Sequence, residues 1–247
     1  KLKLNNTNIS SKKIKEQFNS KQFILFKEDE RNHFITDLMK SIYNYELDKN
    51  NEDTYYYNEN NGKKFLLGKY LRIKEKSNIC ILGDIHGSLN SLLDILKDLQ
   101  NKNFFINDSD FKLKEDKYIF FLGDIVDYSP LGLECYLFAL ILLDNNPEQV
   151  HIINGNHETG DYLDSPNSAI WKELNNDVDF NFRDKLIRLM KLTPIAMILK
   201  YKDNVFQLNH GAVPNNADYN YMSNIKTFIN DSNQNFIIPT TLIKSYL

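Results

Sequence analysis

The sequence predicts an α/β fold, and two observations predict it. From Leu71 onward, short apolar runs rich in β-branched residues alternate with longer stretches of helical periodicity, the order of strand–helix–strand units. Three of those runs lead into motifs that carry chemistry: GDIHG at Gly83–Gly87, GDIVD at Gly123–Asp127 and GNHE at Gly155–Glu158. Open α/β sheets build their sites at the carboxyl ends of the strands, so these carboxylates, imidazoles and carboxamide are expected on one rim.

Taken in order, Asn78–Leu82 reads as the first strand, and Ser88 as the cap of a helix whose apolar face carries Leu89, Leu92, Leu93, Leu96 and Leu99. Tyr118–Leu122 is the second strand. Pro130–Leu143 is an apolar helix with the proline in its first turn. Val150–Ile153 is the third strand, and Asn167–Leu192 holds one or two helices with Phe182, Leu186, Ile187 and Met190 turned inward. Ile195–Leu199 and Val205–Leu208 then read as paired strands joined at Lys202–Asn204. Residues 1–72 differ: they are rich in Asn, Lys and Glu, with weak helical periodicity around Ser10–Phe18 and a stronger one at Phe34, Leu38, Ile42 and Tyr45. The polar tract Asn50–Lys64 reads as a loop or linker. The expected organisation is therefore a mainly helical extension over 1–72 and a catalytic domain over 73–247. No internal repeat is visible.

Composition narrows the function. Hydrophobic residues at 42% suffice for a real core, and a net charge of -3 argues against a broad nucleic-acid footprint. The longest apolar stretch, Cys135–Leu143, is far shorter than the roughly 20 residues a membrane helix needs, so no membrane span is expected. Cys80 and Cys135 both lie in apolar segments, which predicts buried free thiols and a reducing, cytoplasmic compartment. The chain begins at Lys1, which leaves room for a removed leader.

Asp84 and His86 are two residues apart, and in extended chain both side chains point the same way, toward one ion. Gly83 and Gly87 would let the backbone approach that ion closely. Asp124 holds the same place after the second strand and Asn156 after the third; His210, in an HG pair, adds one more imidazole. Hard oxygen donors mixed with imidazole suit divalent manganese, iron or zinc. Taken singly, each Asp reads equally well as a turn former or helix cap. His33 and His151 belong to no motif and read as surface or core histidines. Glu158 reads as an acid that favours a helix N-terminus.

The ordered set GDxHG, GDxVD, GNHE and a later HG resembles the phosphoprotein phosphatases, the serine/threonine phosphatases among the calcineurin-like metallophosphoesterases. The likeness runs from about Leu71 to Pro214 and includes the paired-strand segment Leu192–Pro214, which ends in HGAVP. It implies a sandwich of two mixed β-sheets flanked by helices. It also implies two metal ions, manganese first and iron or zinc as alternatives. By resemblance Asp84 and His86 bind the first ion, Asp124 bridges both, and Asn156 and His210 bind the second. Such ions, roughly 3.5–4 Å apart, acidify a bridging water and clamp the phosphoryl oxygens for in-line attack. His157 would be the general acid and Asp127 the group that orients it. The implied substrate is a phosphoprotein, phosphoserine or phosphothreonine first and phosphotyrosine second.

Two departures qualify the likeness. The family's phosphate-gripping arginine after GDxVD is replaced by Tyr128, and the arginine before GNHE by Asn154. A phenol cannot supply a guanidinium's forked positive charge. Arg183, Arg188 and Lys226 are the candidate substitutes. The family's last metal-binding histidine is also missing, since no histidine follows His210; the expectation is a piece of a longer polypeptide. Two other readings stay open: a symmetrical dinucleoside polyphosphate hydrolase, and a degenerate phosphatase that only binds partners. The extension is similar to regulatory or docking segments, or to the host-directed module of some bacterial effector phosphatases that act in a host cytoplasm.

Overall fold

The computed structural model describes residues 28–43, 68–106, 111–176, 180–211 and 235–236. Two sheets form the centre. In the first, β2 (Asn78–Leu82), β3 (Lys117–Phe121) and β4 (Val150–Ile152) lie in sequence order and all run parallel. The second has the order β6 (Asn204–Asn209), β5 (Ala196–Tyr201), β1 (Gly68–Ile73) and β7 (Asn235–Phe236). There β1 and β5 pair in parallel, and the two outer pairings are antiparallel. The second sheet is thus mixed, as expected, whereas the described strands of the first are purely parallel.

The sheets meet through Leu71, Ile73, Tyr118, Phe120, Ile153, Met197 and Leu199, all buried. The other face of the parallel sheet is covered by α2 (Leu89–Asn101) and α3 (Gly132–Asn145). Strand β3, the middle strand, is buried from Tyr118 to Phe121, which accounts for its unbroken apolar sequence. Helix α3 is apolar almost all round and buried from Cys135 to Leu143, as a helix packed on every side must be. Beyond it come α4 (Gly160–Leu163), α5 (Ala169–Asn176) and α6 (Phe180–Leu192), with Phe182, Leu186 and Met190 fully buried on α6.

Helix α1 (Glu28–Tyr43) packs against α6, and its Phe34, Ile35, Leu38 and Met39 join the same core. The helix expected from Phe34 and Leu38 therefore forms, but as part of the folded body. The periodicity around Ser10–Phe18, the tract Asn50–Lys64, Lys226 and the side chains of Ile42 and Tyr45 lie outside the described residues. Strand β1 crosses the 72/73 boundary. It alternates buried Leu71 and Ile73 with exposed Arg72, a period too short and too interrupted by charge to read as a strand from sequence.

Two expected helix starts are corrected. Ser88 stands at the N-terminus of α2, but its hydroxyl bonds Ser91 at 2.7 Å and caps no backbone N–H. Helix α3 begins at Gly132 rather than Pro130, because the carboxylate of Glu173 on α5 takes the N–H groups of Gly132 and Leu133 at 3.2 and 2.8 Å.

Near the end of α3, burial and the facing carboxylate of Asp37 on α1 push the Asp144 carboxyl up to about 6. The folded chain thus holds that proton more tightly than the unfolded chain. The resulting cost is full above the folded value and absent below the ordinary carboxylate range. Asp144→Asn is expected to raise stability by about 1–2 kcal/mol near neutral pH once solvent screening is allowed for. Denaturation midpoints measured across pH should show the gain vanish below about pH 4.

Candidate active site

The parallel strands deliver their motifs to one rim, and backbone bonds fix the loops to each other. The N–H groups of Ile85 and His86 both bond the Asp124 carbonyl at 2.9 Å, and that of Gly87 bonds Ile125 at 2.9 Å. The GDIHG loop is thereby laid directly on the GDIVD loop. Gly87 has a φ of +68° and a Cβ there would press on the Ser129 carbonyl at 2.7 Å, so this glycine is required. Gly83 is different: a Cβ would meet no protein atom within 4 Å, so no neighbouring part of the chain requires a glycine there. The close approach falls instead between Gly123 and Gly155, where a side chain on Gly155 would overlap Asp124 Oδ1.

His86 does not reach the centre by the alternation of an extended strand. It lies in a turn with a φ of 49°, and Asp124, Asp127 and Tyr128 are also left-handed, at 50°, 73° and 57°. Half of the eight non-glycine residues described with positive φ are therefore at this rim, and each costs about 1–2 kcal/mol. Such strain persists only where surrounding structure enforces it.

Glu158 does much of the enforcing. Its buried carboxylate accepts the N–H groups of Asp124 (2.9 Å), Ile125 (2.8 Å), Val126 (3.2 Å) and Gly155 (2.8 Å). Burial pushes this carboxyl above its usual range against the pull of those donors. Glu158 does sit in the first turn of the short helix Asn156–Glu158 and takes the Gly155 N–H there, as expected, and it also ties the second motif to the third. Three of its four partners are more than 30 residues away in sequence, and only the GNHE spacing hinted at them.

All seven expected site residues converge. Asp124 Oδ2 is the centre, 3.6 Å from His86 Nε2, 3.2 Å from His210 Nε2 and 3.9 Å from His157 Nε2. Asp84, the exposed member, is 3.6 Å from His86 Nε2 and 3.8 Å from His210 Nδ1. Asn156 Oδ1 lies 3.1 Å from His210 Nε2. Two groups able to hold a metal share Asp124: His86 with His157, and Asp84 with His210, in each case with donor atoms within 4.8 Å of one another.

The donor set fits divalent ions. Nδ1 of His86 faces the Val126 carbonyl at 3.2 Å and Nδ1 of His210 faces that of Leu122 at 3.1 Å. Each Nδ1 thus donates to its carbonyl, which leaves Nε2, on the Asp124 side, as the atom that would take an ion in place of a proton. The field of the site also favours positive charge. A bond to Asp124 holds His210 above the usual imidazole range, although burial works against it. Burial opposes ionisation of Asp124 itself, but His210 and the His157 N–H outweigh it and lower the carboxyl's pKa.

His157 stands apart from these ligands in its partners. Its Nδ1 bonds Asp127 Oδ2 at 2.9 Å, both groups being buried, and its ring lies against those of Tyr128 and Tyr162. The other oxygen of Asp127 takes the N–H of Ala169, and that of Ile170 at 3.4 Å, at the start of α5. Burial opposes ionisation of Asp127 too, but the bonds from His157 and from the N–H groups of Tyr128, Ala169 and Ile170 prevail and keep its carboxyl below the ordinary range.

A family model for calcineurin-like phosphoesterases matches residues 77–240. The chain belongs to that family. Among its relatives, serine/threonine-protein phosphatase 7 of Arabidopsis thaliana is 37% identical over 83 residues, a stretch covering 34% of this chain and 17% of that protein. The serine/threonine-protein phosphatase 4 catalytic subunit of Candida glabrata is 33% identical over 81 residues, covering 33% and 22%. The solved structure of a protein serine/threonine phosphatase from Saccharomyces cerevisiae superposes with a TM-score of 0.61 at 15% identity, over 83% of this chain and 53% of that one, a likeness of fold. The matches thus span less than two thirds of each relative's length. The relatives bear out the resemblance to phosphoprotein phosphatases read from the motifs.

The remaining expectations divide. His151 is a core histidine whose ring lies 5.3 Å from that of Phe120, and His33 is exposed on α1. Asn154 is buried and donates to the Met190 carbonyl and, at 3.4 Å, to that of Thr193, so it ties the loop to the end of α6 instead of gripping phosphate. Arg188 Nε is engaged with Asp184 on its own helix at 3.0 Å, which argues against it as the substitute cation. Cys80 and Cys135 are free, and burial raises the Cys135 thiol to about 12, which makes it inert at neutral pH. Among the described residues no helix is long and apolar enough to cross a membrane.

Proposed function

We propose that the chain is a two-metal phosphomonoesterase acting on phosphoproteins. The observation that supports this most is the single carboxylate oxygen of Asp124 lying within 4 Å of three imidazole nitrogens at the meeting of three loops. Asp84, His86 and Asp124 would hold one ion, and Asp124, Asn156 and His210 the other. Oxygen and imidazole donors suit manganese, with iron or zinc as alternatives. When bound, such ions supply Lewis acidity for the phosphoryl oxygens and lower the pKa of water.

The chain's own groups supply the rest. A new P–O bond forms from water as the ester P–O bond breaks, and the leaving oxygen takes a proton from His157 Nε2. Asp127 fixes that ring through Nδ1. The products are inorganic phosphate and the free hydroxyl of the substrate. The relatives are named as serine/threonine-protein phosphatases, which supports a phosphoprotein as the substrate. The two free thiols fit a reducing compartment such as the cytoplasm.

The test is phosphate release from a phosphopeptide panel and from diadenosine tetraphosphate, after chelation and again after adding back manganese, iron or zinc. Release from the peptides that is lost on chelation and restored by metal is the expected result. Cleavage of the dinucleotide alone would favour the polyphosphate hydrolase. Absence of any turnover with metal bound would favour a binding module.

A further inference from the structure

Tyr128 is 70% exposed at the rim, yet its position is fixed. Its backbone is left-handed directly after the left-handed Asp127, and the following Ser129 N–H bonds the carbonyls of Asp127 and His86 at 2.7 and 3.2 Å. The ring stands edge-on to His86, with centroids 4.5 Å apart and planes at 62°, and 4.8 Å from the ring of His157. The ring of Tyr162 lies 3.6 Å from that of His157, with planes 32° apart. The imidazole assigned to protonate the leaving oxygen thus has two tyrosine rings against it.

That arrangement constrains what can leave. The leaving oxygen must come within about 2.6–3.2 Å of His157 Nε2. The first atoms attached to that oxygen then lie against the Tyr128 ring. A serine ester presents a single methylene there, whereas an aryl ester presents a ring that can pack edge-to-face or offset on Tyr128. We infer that Tyr128 and Tyr162 form a wall for the leaving group and select aryl phosphate monoesters, of which phosphotyrosine is the protein-borne member. This rests on the proposed phosphomonoesterase activity and determines its substrate class. An uncharged phenol at position 128, where the family has an arginine, has the same consequence, because less of the binding comes from the phosphate and more from the group attached to it.

The decisive experiment measures kcat/KM of the manganese-loaded chain on two peptides of one sequence, one with phosphotyrosine and the other with phosphoserine. Para-nitrophenyl phosphate reports whether the chain is active at all. Wild type should favour the phosphotyrosine peptide. Tyr128→Ala should cut the phosphotyrosine-to-phosphoserine ratio roughly two- to tenfold, the range of a ring-on-ring contact, and Tyr128→Phe should restore it. Metal content and the thermal midpoint show that each variant is folded and loaded. A ratio unchanged by Tyr128→Ala, in an enzyme that still turns over both peptides, would overturn the wall. No turnover of any of the three substrates by wild type would instead remove the phosphatase reading, and the wall with it.

Discussion

Asp124→Asn should lose turnover and metal together. The side chain keeps its shape, and the amide oxygen can still accept the His157 N–H that Asp124 Oδ1 takes at 3.1 Å. The fold should therefore survive. What disappears is the negative charge on the one oxygen that faces His86, His210 and His157 at 3.6, 3.2 and 3.9 Å. Losing a group that merely supports a ligand costs roughly 10–100-fold in metal affinity or activity. Losing the shared ligand should exceed that, with kcat falling by about 10³-fold or more. Metal analysis beside kcat is the check. Wild-type metal content with wild-type turnover in the variant would remove Asp124 from the centre of the site.

His157→Asn should behave differently. If the imidazole is the acid, kcat falls about 10²–10⁴-fold while metal content stays near wild type. The loss should be larger for alkyl esters than for esters of acidic phenols, whose oxygens leave with less need of a proton. His157 also lies among the donors that could hold an ion with His86 and Asp124. A fall in bound metal matching the fall in kcat would assign it as a ligand instead. Asp127→Asn should show the positioning role in a milder form. The amide holds the Nδ1–H less firmly than a carboxylate does, so kcat should fall by less than for His157→Asn while metal content stays near wild type.

The parallel sheet and the pair β5 and β6 were legible in the sequence as local pattern, and the seven side chains at the rim through the ordered motifs and their resemblance to a known family. Val150–Ile152 and Lys117–Phe121 are apolar runs that end where their motifs begin, and parallel pairing carries those motifs to one edge. What the sequence hid depends on partners distant along the chain. Glu158 bonds a loop more than 30 residues upstream, and Glu173 decides where α3 starts from 40 residues downstream. Neither residue differs locally from any other helix-terminal or helical acid. Tyr162 had no signal of its own, since its contact with His157 depends on how α4 turns after the GNHE loop. The extended-strand argument for Asp84 and His86 reached the right pairing through the wrong geometry: a left-handed turn brings them to 3.6 Å.

Anomalous diffraction from crystals loaded with manganese tests the central claim most directly. The arrangement predicts two peaks roughly 3.5–4 Å apart on either side of Asp124. One should lie against Asp84 and His86, the other against Asn156 and His210. A single peak, with no density beside Asn156 and His210, would contradict the two-metal site.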